Sequence, residues 1–143
     1  MKKVLSFLLI TFVTVNAFAD SPDDILGIWS NGTEKGHIQI YKQNGKYYGK
    51  LIWLKQPNDE RGHPKVDKNN PNPAVRTKPL LGLIMLNDFK YEDDEWADGK
   101  IYNPNDGKEY KAFMKLKDFQ TLHVRGYIGF SWIGKTETFH RIR

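Results

Sequence analysis

GHIQIYKQNGKYYGKLIWLK, residues 36–55, is the stretch on which the fold turns. Its first half, Gly36 to Lys42, alternates Ile38 and Ile40 with His37, Gln39 and Tyr41. A period of two places the isoleucines on one face of an extended strand. Asn44-Gly45 follows, and Lys46 to Lys55 is again rich in strand-forming residues. Asn-Gly between two such runs predicts a tight hairpin, because both central residues of that turn need positive φ. Gly49 within the second run predicts a bulge or a close backbone approach.

Working outward, the same grammar recurs. Gly27-Ile28-Trp29 opens a first strand. Leu80 to Leu86, LLGLIML, is a continuous apolar run and is expected as a buried strand, with a helical turn within it as the alternative. Four more strands are expected at Glu95–Asn103, Lys108–Lys117, Thr121–Ile128 and Lys135–Ile142. This spacing suits an antiparallel barrel or sandwich. Residues 56–79 break it with five of the seven prolines and almost no apolar side chain, so they form one long Pro-rich loop. Loops of that length in small domains are uncommon and often carry function; the alternative is an ordered Ω-type surface loop without a ligand role.

Asp98-Gly99 and Asp106-Gly107 raise the question of a calcium loop. Such a loop needs oxygen ligands at alternate positions before the glycine. Counting back from Gly107 meets Asp106, Pro104 and Tyr102, and from Gly99 meets Asp98, Trp96 and Asp94, so the pattern fails twice. Both pairs read as hairpin-turn chemistry.

The N-terminus carries Lys2 and Lys3, an apolar run Val4–Val15 and an exit Ala17-Phe18-Ala19. Those are the three parts of a cleaved signal peptide. Residues 1–19 are therefore expected to be a leader and residues 20–143 a single exported domain, periplasmic or secreted. The chain has no cysteine, which excludes disulfides, thiolate chemistry and a lipid anchor on an N-terminal cysteine. No later segment is apolar enough to form a transmembrane helix. Without Lys2 and Lys3, 20 of the 22 basic side chains face 17 acidic ones, a balance of +3 with no basic block. Nucleic-acid binding would want a clustered basic patch, so it is not expected.

No nucleophile elbow, phosphate-binding glycine loop or zinc-helix motif occurs. The four histidines, His37, His63, His123 and His140, are scattered, so no metal and no other cofactor is expected. Carboxylates at Asp59, Glu60, Asp67 and Glu92–Glu95 are what any acidic loop or turn supplies. Thr121 to Tyr127, TLHVRGY, alternates Leu122 and Val124 with His123, Arg125 and Tyr127. If the second set lines a barrel interior, Arg125 and Tyr127 can hold an anionic head group, and this inward placement is the expectation. The chain has 19 aromatic residues, including Trp29, Trp53, Trp96 and Trp132. They serve either packing or ligand contact.

Gly27-Ile28-Trp29 near the start and Arg141 near the end together resemble the calycin group of lipocalin-like barrels. A more specific resemblance spans nearly the whole exported chain. GIWSN, GHIQIYKQNGKYYGKLIWLKQPND, GHPKVDKNNP, RTKPLLGL, DGKIYNPNDGKEY and VRGYIG…GKTETFHR, in this order, resemble the exported bacterial family called domain of unknown function 2147. One departure is Phe139, where the family pattern has Trp. The resemblance implies an all-β fold, a small antiparallel lipocalin-like β-barrel of about eight strands. It also implies structural roles for Gly27, Trp29 and Arg141, the Trp packing at the closed end under the basic residue. By analogy it implies a binder of a small molecule.

The expected function is therefore non-enzymatic binding of a small apolar or amphipathic ligand, such as a fatty acid. Arg125 and Tyr127 would anchor its head group, and Trp53 would form part of the wall. The loop 56–79, with Asp59, Asp67 and Arg76, would be the lid. The alternative is an envelope interaction protein with a filled barrel, contacting a protein or glycan through that loop.

Overall fold

A computed structural model describes residues 21–143, so the expected leader lies outside the described residues. Eight antiparallel strands close into one barrel in simple sequential order. They are β1 (Gly27–Ser30), β2 (Gly36–Gln43), β3 (Lys46–Leu54), β4 (Ile84–Glu92), β5 (Glu95–Asn103), β6 (Lys108–Asp118), β7 (Thr121–Tyr127) and β8 (Gly134–Arg141). Closure comes from β1 against β8, where Trp29 pairs with Arg141 and Ser30 with His140. A closed sheet leaves no strand edge unpaired along its seam.

The hairpin at Asn44-Gly45 forms as expected, with positive φ at both residues and Gln43 opposite Lys46. Asp93 and Asp94 also have positive φ and turn β4 into β5. Asp98-Gly99, by contrast, is not a hairpin turn. It lies inside β5, where the register with β6 shifts between Trp96 and Gly99 and Asp98 takes φ 56°. That is a bulge, which bends a strand around a small barrel. Gly49 is a close approach: a Cβ there would lie 2.7 Å from Leu86 Cδ1.

The expected strand at Leu80–Leu86 is corrected. Leu80 to Leu83 form bends and turns, with Leu81 exposed, and β4 begins only at Ile84. The strand continues through the polar sequence Asn87-Asp88, burying Leu86 and Phe89 on its inner face. Asp88, at φ 60°, absorbs the extra residue between those two inward side chains.

The inner faces fill one half of the barrel. Ile25, Trp29, Tyr47, Phe89, Trp96, Met114 and Leu122 are fully buried there. A 3-10 helix, Pro22–Ile25, closes that end, with Ser21 and Asp24 forming a capping box. Side chains of three strands tie it down. Trp29 Nε1 donates to the Ile25 carbonyl at 2.9 Å, Trp96 Nε1 to the Pro22 carbonyl at 3.1 Å, and the Tyr47 hydroxyl to Asp23 at 2.8 Å.

Arg141 completes the closure. Its guanidinium carbon lies 4.2 Å from the centre of the Trp29 ring and 4.1 Å from that of Phe119. Its Nε donates to the Phe119 carbonyl at 2.7 Å and Nη1 to the Leu26 carbonyl at 2.8 Å, while Nη2 donates to the Asp24 carbonyl. A planar fork of donors between two aromatic faces suits Arg and not Lys. Burial lowers the pKa of this guanidinium, and nearby Asp24 opposes that shift. Gly27, at φ 138°, lets the chain pass: a Cβ would sit 2.4 Å from the Arg143 carbonyl oxygen and 2.9 Å from Arg141 Nη1.

Candidate functional site

At the opposite end the strands diverge around a cavity of about 540 Å³. Ile38, Leu86, Val124 and Phe139 form its floor, and Met85 and Ile101 its apolar sides. Asn31, Thr33, Asn103, Asn105, Lys135 and Glu137 ring its mouth. Each strand alternates, so the floor is the inward set of the same periodicity that builds the core.

Gly126 is the position that keeps this space open. It sits on the inner face of β7, opposite Ala112 of β6. A Cβ there would meet only Ile101 Cδ1 at 3.6 Å and Tyr110 Cβ at 3.8 Å, ordinary contacts. A Cβ is therefore accommodated, and a larger side chain built from it would take up space that Gly126 leaves to the cavity. The polar groups near the mouth are engaged with one another. The Tyr110 hydroxyl donates to Asp106, which raises the phenol pKa and lowers that of the carboxyl. Glu137 lies 3.8 Å from Lys135.

The expected anchor is turned the other way. Leu122 and Val124 are the buried face of β7, so Arg125 lies on the outside. Its Nε donates to the Ser131 carbonyl at 2.7 Å and its Nη1 to Thr136 Oγ1 at 2.9 Å. The reason is energetic: the interior of a small barrel takes the apolar set, and an unpaired guanidinium there would be costly. Tyr127 contributes to the cavity rim, with its ring 6.3 Å from that of Phe113. Trp53 is not a wall residue. It is 41% exposed and stacks on His37, ring centres 4.3 Å apart.

The loop 56–79 is not a lid, since none of its residues lines the cavity. It is strapped along the outer side of β5 and the β5–β6 turn. Buried Asp67 accepts from the Tyr102 hydroxyl at 2.7 Å and from Asn70 Nδ2 at 2.8 Å. Burial, then the bond to Asp67, pushes the Tyr102 pKa up to about 12. Asn69 Nδ2 donates to the carbonyls of Pro104 and Asn105, each at 3.0 Å. Arg76 Nε donates to the Asn70 carbonyl at 2.7 Å, inside the loop. Asp59 caps a local turn, accepting from the N–H groups of His63 and Arg61, both at 2.9 Å, and these bonds lower its pKa. Asp59 and Arg76 thus spend their polar groups within the loop, and Asp67 ties the loop to β5.

Of the six expected binding residues, only Tyr127 reaches the cavity. Gly126, Tyr110, Asn103 and Glu137 were not singled out from sequence. A signal for Gly126 existed: it follows Leu122 and Val124 in the same alternation. Among the described residues, no three His, Asp or Glu side chains group as a metal site, and no helix is long and apolar enough to cross a membrane.

A family profile described as "Uncharacterized protein conserved in bacteria (DUF2147)" matches residues 27–141. No curated protein matches the chain. Among solved structures, protein HP1028 from the human pathogen Helicobacter pylori, described as belonging to the lipocalin family, is similar with a TM-score of 0.71. The two are 25% identical, and the match covers 82% of each chain. The closed eight-stranded barrel and the profile spanning β1 to β8 agree: this chain belongs to the DUF2147 family and has a lipocalin-like fold.

Proposed function

We propose that this protein is an exported, non-enzymatic binder of a small apolar or amphipathic molecule, held tail-first in the open half of the barrel. One observation carries the reading: a cavity of about 540 Å³ with an apolar floor and a polar mouth. That size falls in the range of small-ligand pockets, roughly 300–1,000 Å³. The lipocalin-like fold supports it by analogy. Export rests on the leader-like residues Lys2 to Ala19. The non-enzymatic reading rests on the sequence, in which no nucleophile elbow, phosphate-binding glycine loop or zinc-helix motif occurs.

With Arg125 outside, the head group of a bound amphiphile belongs at the mouth, beside Lys135, Asn31 and Asn103, rather than at depth. Glu137 rings the same mouth 3.8 Å from Lys135 and repels a second carboxylate placed near it, so a fatty acid fits where its carboxylate meets Lys135 on the side away from Glu137, and an alcohol head group meets no such repulsion.

The test is native mass spectrometry and displacement of a fluorescent fatty-acid probe, on the wild type and on Gly126→Leu. The expected outcome is a one-to-one adduct with long-chain acids or alcohols that is lost in Gly126→Leu while the melting temperature is kept. No adduct with any of these amphiphiles, or equal binding by Gly126→Leu, would overturn the assignment of the cavity.

A further inference from the structure

The β7–β8 connection, Ile128 to Ile133, presents apolar surface at the rim of the barrel mouth. Ile128, Phe130, Trp132 and Ile133 are each more than half exposed, Trp132 at 73%. Phe130 and Trp132 stack face to face, ring centres 4.4 Å apart and planes within 7°. The loop is preformed rather than slack. Ile128 N donates to the Ile133 carbonyl at 3.0 Å, Phe130 N to Ile128 at 2.9 Å, and Ile133 N to Phe130 at 2.9 Å. Arg125 holds the Ser131 carbonyl from below. Four apolar side chains thus project from a turn that satisfies much of its own backbone, as entry into a weakly hydrated environment demands.

The surroundings carry a net basic excess. Lys108 and Lys111 border a shallow depression that also includes Ile128 and Gly129. Arg125 lies under the loop and Lys135 follows it. Three acids lie among them: Glu109 is 3.9 Å from Lys100, Glu137 is 3.8 Å from Lys135, and Asp106 accepts from the Lys108 N–H and the Tyr110 hydroxyl, so Lys100, Lys108, Lys111, Arg125 and Lys135 leave a modest basic excess. Aromatic and aliphatic tips within a basic collar match the chemistry of an anionic lipid surface, apolar below and negative at the headgroups.

We propose that the loop 128–133 docks the barrel mouth onto an anionic membrane surface, with Phe130 and Trp132 inserted at the headgroup boundary. Area argues against a second copy of this chain as the occupant. Two aromatic side chains and two isoleucines expose on the order of 400 Å². A stable protein interface takes roughly 800 Å² from each partner. Continuity favours lipid as well, since Ile128 and Ile133 also line the cavity and form an apolar path into it from the patch. The docking does not require that the cavity be filled.

The experiment is flotation of the exported chain with vesicles of phosphatidylglycerol and phosphatidylethanolamine, against vesicles of phosphatidylcholine alone. We expect co-flotation with the anionic vesicles, weakened by salt. Phe130→Ser/Trp132→Ser should float about tenfold less, and Lys108→Glu/Lys111→Glu should also lose binding, both with unchanged melting. Gly126→Leu should float like the wild type, so that failure of docking and failure of the cavity reading are told apart. No co-flotation, or full co-flotation of the Phe130/Trp132 variant, would overturn the proposal. So would a dimer in sedimentation equilibrium that dissociates in that variant, which would assign the patch to a second copy.

Discussion

The two ends of this barrel are built from the same eight strands and do opposite things with them. At the closed end, Trp29, Trp96, Phe89 and Tyr47 are fully buried, and a 3-10 helix is tied to three of them. At the open end, the inward positions carry smaller or fewer side chains, and a cavity remains. Two inner-face glycines state the contrast. A Cβ on Gly99 would fall 2.4 Å from the Phe89 ring, whereas one on Gly126 would meet nothing closer than 3.6 Å. The same residue type thus admits an aromatic ring in one half and preserves an opening in the other. Stability is concentrated where packing is complete, and the room for a ligand lies where it is not.

That contrast can be broken from the closed end with the largest effect. Trp29→Ala is expected to cost about 3–5 kcal/mol in urea unfolding, because it removes a fully buried ring and leaves Arg141 stacked on Phe119 alone. Arg141→Lys tests the same corner and should also destabilise, since one ammonium cannot serve the carbonyls of Phe119, Leu26 and Asp24 together. Gly99→Ala comes next. Overpacking against Phe89 is expected to cost roughly 1–3 kcal/mol, whereas Gly126→Leu at the open end should leave the urea midpoint nearly unchanged and remove only the proposed ligand binding.

The loop strap gives a third comparison. Tyr102→Phe strands one oxygen of buried Asp67 and should cost about 1–3 kcal/mol. It also predicts a pH signature. The folded-state pKa of Tyr102 is raised to about 12 from an ordinary value of 10. Its contribution is therefore complete below pH 10 and declines as pH rises from 10 through 12, because the unfolded chain gives up the proton first. Melting temperature in that window should fall less steeply in Tyr102→Phe than in the wild type. The smallest effect belongs to Trp53→Ala. Its half-exposed stack on His37 should be worth no more than about 1 kcal/mol, and its loss should leave ligand binding intact, since Trp53 is outside the cavity.

Much of the fold was legible. Alternation around Ile38 and Ile40, the Asn44-Gly45 turn and the spacing of later runs all survive as β2, β3 and their successors. Two elements were misread for physical reasons. The apolar run Leu80–Leu86 suggested a buried strand, yet its first four residues bend and the strand proper continues through Asn87-Asp88. Asp98-Gly99 resembled a hairpin turn because a bulge and a turn need the same positive φ. The site was read far less well. Arg125 and Trp53 drew attention as a strong cation and a large ring, but the inner face of each strand belongs to its apolar partners. In TLHVRGY the apolar pair Leu122 and Val124 carried that information, and Gly126 with it.

What the sequence determined by itself was local: which residues extend, where Asn-Gly and Asp-Asp pairs reverse the chain, and which alternate positions are apolar. Such features depend on the backbone preferences of a few neighbouring residues. The tertiary structure decided the rest. Closure of β1 on β8 stacks Arg141 on Trp29 across more than a hundred residues. Strapping of the loop to Tyr102 keeps it off the mouth. The cavity exists because the inward side chains of several strands jointly fail to fill one end, a sum over volumes that no single stretch of the chain contains.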